Sequence, residues 1–210
     1  MTADQLVSTR DRIIDAARTL FVNEGYDRVT MRRIAEVVGF TPTTIYVHFR
    51  DKEALIRELA ERDFLALAGQ FMLIAMVADP VERLRRVGVA YAEFGLTYPH
   101  HYRLMFMAPT PKGIDETGIV ERGNPQQDAY AFLTWTVQGC VDAGRLRPEY
   151  SDVEGTAQML WSALHGVVSL HVARKEDAWI TWKPAMETVE LLINTLSRGL
   201  ELPQGDNPRD

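Results

Sequence analysis

Helix start and stop signals recur along this chain, and no strand pattern competes with them. Ser8-x-x-Asp11 and Ser151-x-x-Glu154 read as capping boxes. Asp79-Pro80 and Asn124-Pro125 each put a capping side chain before a proline at a first helical position. Gly25, Gly39 and Gly144 stand where helices should stop in a left-handed turn. No run rich in valine, isoleucine and threonine alternates with polar residues between turn signals. The pattern predicts an all-α fold of about nine helices, over 8–24, 30–38, 41–48, 51–74, 80–97, 99–107, 125–143, 151–173 and 184–199. The stretch 108–124 holds two prolines and three glycines and reads as a mobile loop, and residues 203–210 read as a flexible tail.

The 210 residues are enough to bury a substantial core. A single cysteine, Cys140, excludes an intramolecular disulfide framework and a cysteine-rich zinc site, and it fits a reducing, cytoplasmic setting. Met1 to Arg10 carries no apolar stretch of the kind a signal peptide needs. The longest apolar run, Phe64 to Ala78, is broken only by Gly69 and Gln70. As a helix it spans about 22 Å, short of the ~30 Å hydrocarbon core, so it is expected to be a buried helix and not a membrane span. Net charge is −6, but it is unevenly placed. Residues 1–62 hold ten Lys+Arg and ten Asp+Glu, whereas residues 63–210 hold thirteen and nineteen. The acidity belongs to the longer C-terminal part, which leaves the N-terminal part able to meet a polyanion.

The first three helices are short and tightly joined. Ile13, Ile14, Ala17, Leu20 and Phe21 fall on one face of the first, and Met31, Ile34, Ala35 and Val38 on one face of the second. Thr30 is placed to cap the second helix; Thr41 caps the third, with Pro42 in its first position. At 100° per residue Ile45 and Phe49 must face inward, while Thr43 and Val47 point outward with Thr44 and Tyr46 beside them. His48 lies nearer the inward side. Such a slim face suits a major groove: threonine can bond a base edge or phosphate, and valine can meet a thymine methyl. Two short helices joined by a glycine turn form a helix-turn-helix pattern. The starts of the second helix at Thr30 and the fourth at Asp51-Lys52 offer backbone N–H groups to phosphate, with Arg32 and Arg33 close by. The same block also suits a purely structural three-helix module.

The block from Thr30-Met31-Arg32-Arg33-Ile34-Ala35 through Gly39-Phe40-Thr41-Pro42-Thr43-Thr44-Ile45-Tyr46-Val47-His48-Phe49 to Lys52-Glu53-Ala54-Leu55 closely resembles the DNA-binding segment of the TetR family of bacterial regulators. The preceding helix, ending Ala-Arg-Thr-Leu-Phe-Val-Asn-Glu-Gly-Tyr, resembles it too. The resemblance implies an all-α homodimer without a cofactor. An N-terminal operator-binding domain over 8–52, with its helix-turn-helix at 30–49, would precede a domain over 53–202 for small-molecule effector binding and dimerisation. It assigns Thr30, Tyr46, His48 and Lys52 mainly to the DNA backbone. Arg32, Pro42, Thr43, Thr44 and Val47 become candidates for base contact, with Thr41 at the start of the same helix. Thr43 stands where many members carry glycine, and Val47 where many carry a larger polar residue. Trp161-x-x-x-His165-Gly166 is similar to the Trp-His-Gly signature of one C-terminal subfamily, and Tyr98 to Phe106 fits its middle segment.

In the C-terminal part, aromatic side chains recur on helical stripes. Tyr91, Phe94, Tyr102, Phe106, Phe132, Trp135, Trp161 and His165 are candidates for an effector pocket, and equally for a packed core. His165 and His171 diverge around their helix, as do the adjacent His100 and His101, so no metal site is expected. Gly166, Val167 and Leu170, with Leu191, Leu192, Thr195 and Leu196, are candidates for a four-helix dimer interface.

The expectation is a repressor released from a palindromic operator by a small molecule. It needs two recognition helices about 34–36 Å apart. An activator of the same fold and a helical carrier that never binds DNA remain open. No Gly-x-Ser-x-Gly, phosphate-binding loop or His-Glu-x-x-His supports an enzyme.

Overall fold

A computed structural model describes residues 8–107 and 118–202. Residues 108–117 of the loop expected at 108–124, the tail at 203–210 and the first seven residues lie outside the described residues. Among the described residues there are nine α-helices: α1 Thr9–Glu24, α2 Met31–Val38, α3 Pro42–His48, α4 Lys52–Met72, α5 Pro80–Thr97, α6 Pro99–Phe106, α7 Ala129–Asp142, α8 Val153–Arg174 and α9 Ala185–Leu200. A 3-10 turn at Pro148–Tyr150, not foreseen from the sequence, precedes α8. No strand is present among them; Leu146 and Glu201 form one isolated antiparallel bridge.

Most of the caps read from sequence are formed. Ser8, Thr30, Thr41 and Asp79 each accept a backbone N–H of the first turn, from Asp11, Arg33, Thr44 and Val81. Gly39 takes the left-handed conformation (φ 73°, ψ 29°) that closes α2. Gly25 differs: its φ is 83° but its ψ is 150°, so it redirects the chain instead of closing a left-handed cap.

Three expectations need correction. The seventh helix starts at Ala129, because Asp128 accepts from both Tyr130 and Ala131 N–H groups and outcompetes Asn124. Asn124 instead closes a turn, its side chain taking the Gln126 N–H and its carbonyl that of Asp128. The cap of α8 is Asp152, which accepts from Gly155, while Ser151 donates back to Pro148. Third, the apolar run Phe64 to Ala78 is not one buried helix. The helix stops at Met72, and turns follow that leave Leu73 and Met76 almost fully exposed.

The described residues divide into two compact units, 8–63 with 103–107 and 118–119, and 64–102 with 120–202. The first unit is built on an apolar core in which Ile13, Ala17, Ile34, Ile45, Leu55 and Leu59 are sealed from solvent. Charge fastens its rim. Glu58, on α4, receives the guanidinium groups of Arg10 on α1 and of Arg62, one turn along α4; Arg62 also reaches Asp11 at 2.7 Å. Arg18 and the buried Asp63 make a further pair at 2.6 Å. Burial works against the Glu58 carboxylate, but the two guanidinium groups outweigh it and hold its pKa below the ordinary value.

In the second unit α5 packs on α7, α8 and α9. A glycine permits a close approach. A Cβ added at Gly95 of α5 would stand 2.5 Å from Val168 Cγ1 on α8 and 2.8 Å from the ring of Tyr102. Val137, Cys140, Ala157 and Leu200 fill a separate core in this unit, and burial pushes the Cys140 thiol pKa up to about 12, which makes it a packing residue.

Two outcomes follow from this packing. Gly95→Ala should destabilise the protein by about 1–3 kcal/mol through overpacking, despite a helix-propensity gain of about 1 kcal/mol. Urea unfolding followed by helicity measures it, and an unchanged midpoint would refute the tight approach. For Glu58, a lowered folded pKa contributes stability above the unfolded value, near 4.5, that is lost as pH falls through the folded value. Melting temperatures from pH 7 to pH 3 should therefore drop below pH 4.5, and Glu58→Gln should start lower at pH 7 and fall less steeply.

Candidate functional site

The third helix has only seven residues, too few to persist alone in water. It exists because one side of it is driven into the core. Ile45 and Phe49 are 0% and 2% exposed, and burial of each contributes about 1.5–3 kcal/mol. That orientation turns the opposite side out: Thr43 and Val47 are exposed, Val47 at 77%, with Tyr46 at 53% beside them. Pro42 occupies the first helical position and is exposed. His48 is half-buried, and its carbonyl accepts from Arg10 at 2.7 Å, which ties the end of α3 to α1.

The threonine hydroxyls are not equivalent. Thr41 Oγ1 accepts the Thr44 N–H at 3.2 Å, and the two hydroxyls are hydrogen-bonded to each other at 2.9 Å. Two of the hydroxyls expected to meet DNA are thereby engaged with each other in the helix cap. Thr30 Oγ1 likewise caps α2 through Arg33 N–H.

The positive groups around this face come from α2 and the α3–α4 turn. Arg32 is 82% exposed and lies 3.5 Å from Glu36. Arg33 leans back on Glu24 at 3.2 Å, and the Arg50 side chain, 77% exposed, pairs with Asp51 at 2.9 Å. At the start of α4 the expected open N–H groups are partly closed, since Asp51 Oδ1 accepts from Ala54 at 2.7 Å. That bond also holds the Asp51 carboxyl below its ordinary pKa. Lys52 points inward over the Tyr26 ring at 4.0 Å and donates to the carbonyls of Tyr26 and Val29 at 2.8 and 3.1 Å. Sequence reasoning missed this clamp, as it missed Arg10, because the partners lie more than twenty residues away in the chain. Glu58 and Arg62, four apart on one helix, carry the one local signal for that set, and it too was missed.

In the second unit four of the candidate pocket residues converge. Trp161 Nε1–H donates to Tyr91 Oη at 3.2 Å; Tyr91 and Tyr102 hydroxyls are 3.0 Å apart; Tyr102 Oη lies 2.6 Å and Tyr91 Oη 3.0 Å from His165 Nδ1. Tyr102 and His165 rings stack at 5.5 Å. Burial pushes Tyr91 up to about 12, pushes Tyr102 higher still, and lowers His165. The cluster is therefore uncharged at neutral pH. Phe94 is buried in this unit, and Phe132 packs between Phe71 and Trp135. Trp135 is 42% exposed under the Arg83 guanidinium, and Phe106 belongs to the other unit.

The candidate dimer residues spread over two helices. Leu170 and Leu191 are 53% and 68% exposed, Thr195 is exposed, and a Cβ at Gly166 would meet nothing within 4 Å. Val167, Leu192 and Leu196 are half-buried, Leu196 against the core of its own unit.

Replacing Lys52 by methionine keeps the stem and removes the donors. It should cost about 1–3 kcal/mol of stability, because two inward carbonyls lose their partner. Thermal unfolding of the full chain checks this, and a variant as stable as the parent would show the clamp to be dispensable.

Comparison with known proteins agrees with this architecture. Residues 13–59 match the family model "Bacterial regulatory proteins, tetR family", and residues 84–196 match "Tetracyclin repressor-like, C-terminal domain". The HTH-type transcriptional repressor Rv1474c of Mycobacterium tuberculosis is 38% identical over 82 residues, 38% of this chain and 44% of that protein. The chain thus aligns with less than half the length of that relative. The HTH-type transcriptional repressor KstR2 of Mycolicibacterium smegmatis is 30% identical over 153 residues, 70% of this chain and 72% of its own. Among solved structures, the fatty acid degradation regulator FadR from Bacillus halodurans shares the fold at a TM-score of 0.69 and 18% identity, covering 90% of this chain and 95% of that one. The second family model alone spans more than half of the 210 residues, and the chain belongs to the TetR family of bacterial regulatory proteins.

Proposed function

We propose that this chain is a transcriptional repressor that binds a palindromic operator as a homodimer and is released by a small-molecule effector. The observation that carries the reading is α3. It is a short helix held by Ile45 and Phe49, and it shows solvent a slim face of Thr43, Tyr46 and Val47 with the exposed Arg32 alongside. A rigid three-helix support with an outward-facing recognition helix fits a major groove.

In this reading residues 8–52 form the DNA-binding domain. Arg32, Pro42, Thr43 and Val47 meet bases, and Thr30, Tyr46 and His48 face the backbone. Lys52, Thr41 and Thr44 act chiefly by holding the recognition helix in place, given the bonds they already make. Residues 53–202 bind effector and partner. The Tyr91, Tyr102, Trp161 and His165 cluster supplies neutral hydrogen-bonding groups, with Phe94, Phe132 and Trp135 as further candidates for an apolar lining, which suits an apolar effector with one or two hydrogen-bonding groups. Gly166, Leu170 and Leu191 lie on faces open enough for a second copy. Helices α4 and α6 each run unbroken from one unit into the other, so effector binding has a covalent route to the DNA-binding unit. A coupling of about 1–3 kcal/mol is enough for release. The protein catalyses no reaction in this scheme and works in the cytoplasm, beside the chromosome.

Purified full-length protein should select one palindromic duplex from a random pool. Its affinity for that duplex should fall linearly in log–log form as salt rises. Arg32→Ala should lower specific affinity by about 1–3 kcal/mol while leaving the fold intact. Anisotropy titrations measure both. Binding no tighter to the selected duplex than to random DNA would refute the proposal.

A further inference from the structure

We infer that the recognition helix reads its operator through a thymine 5-methyl group, using Val47, and that each half-site carries a T·A pair at that position. The inference rests on the DNA-binding reading above and narrows it to a readout chemistry.

Between Pro42 and His48 there is no arginine, lysine, asparagine, glutamine or carboxylate. The side chains that make two-point hydrogen bonds to guanine or adenine, or accept from cytosine, are therefore missing from the helix that would enter the groove. The structure removes more of its polar capacity. The Thr44 hydroxyl is engaged with Thr41 Oγ1, and the half-buried His48 sits at the inward-leaning end of the helix. The most exposed large apolar side chain on this helix is a branched one: Val47, 77% exposed, one turn beyond Thr43 on the same outward side.

An apolar group pressed into a major groove excludes water from whatever lies beneath it. Over cytosine or a purine edge it would strip a hydrogen-bonding group and offer nothing in return, which is costly. Over thymine it meets the one apolar group that the groove presents. Val47 thus selects for thymine by attraction to the methyl and against the other bases by desolvation. With 77% of it in solvent, Val47 contributes little burial to the isolated fold.

The test starts from the duplex that the full-length protein selects from a random pool. Each thymine is replaced in turn by deoxyuridine, which removes only the 5-methyl group. The expected result is a loss of about fourfold in affinity at one thymine per half-site, the equivalent of one buried methyl. In Val47→Ala, whose helicity and melting should be unchanged, that same swap should cost clearly less, and Thr43→Ala should keep the full effect. A uniform indifference to deoxyuridine in the parent protein overturns the inference while leaving DNA binding intact. So does a methyl effect of equal size in Val47→Ala, which would place the reader elsewhere. If no duplex is selected at all, the DNA-binding reading fails first and this one falls with it.

Discussion

Everything displayed by the first unit depends on the burial of two side chains, Ile45 and Phe49. A helix of seven residues has almost no cooperativity of its own, since nucleation consumes most of what its few internal hydrogen bonds return. Its existence and its rotation are therefore set by the same event. Sealing Ile45 and Phe49 into the core fixes which residues look outward, and Arg10 on the His48 carbonyl secures the far end. The outward face is in this sense a by-product of the inward one, and its chemistry is free to vary without threatening the fold.

The polar groups near that face divide by what they already touch. Thr41 and Thr44 are bonded to each other at the start of α3, and Lys52 spends its ammonium on two carbonyls of the α1–α2 loop. Such groups give shape. Arg32 and Val47, with 82% and 77% of the side chain or residue in solvent, are available to a partner. Sorting them this way moves the reading chemistry from hydroxyls toward one guanidinium and one isopropyl group, because a donor satisfied within the protein gains little by exchanging one partner for another.

The second unit solves a different problem, placing polar atoms deep among aromatic rings. Burying a phenol or an imidazole without a partner is expensive, so Tyr91, Tyr102, Trp161 and His165 satisfy one another. Burial keeps the two phenols and the imidazole uncharged. Gly95 belongs to the same arrangement, since it lets α5 come close enough to Tyr102 and Val168 for the ring contacts to form.

Sequence by itself settled what is local. The helical spans, the caps at Ser8, Thr30, Thr41 and Asp79, and the inward placing of Ile45 and Phe49 follow from spacing within a few residues, where backbone geometry leaves little choice. Even there, competition between neighbouring caps misled at Asn124 and Ser151, because Asp128 and Asp152 lie just downstream with a carboxylate that accepts more strongly. Only the tertiary structure decided which functional groups are already occupied. Lys52 meets carbonyls 26 and 23 residues away, Arg10 meets Glu58 at a separation of 48, and Trp161 meets Tyr91 at 70. No periodicity encodes such pairs; they arise when packing brings distant segments within hydrogen-bonding distance, and burial then makes an unmet partner too costly to leave.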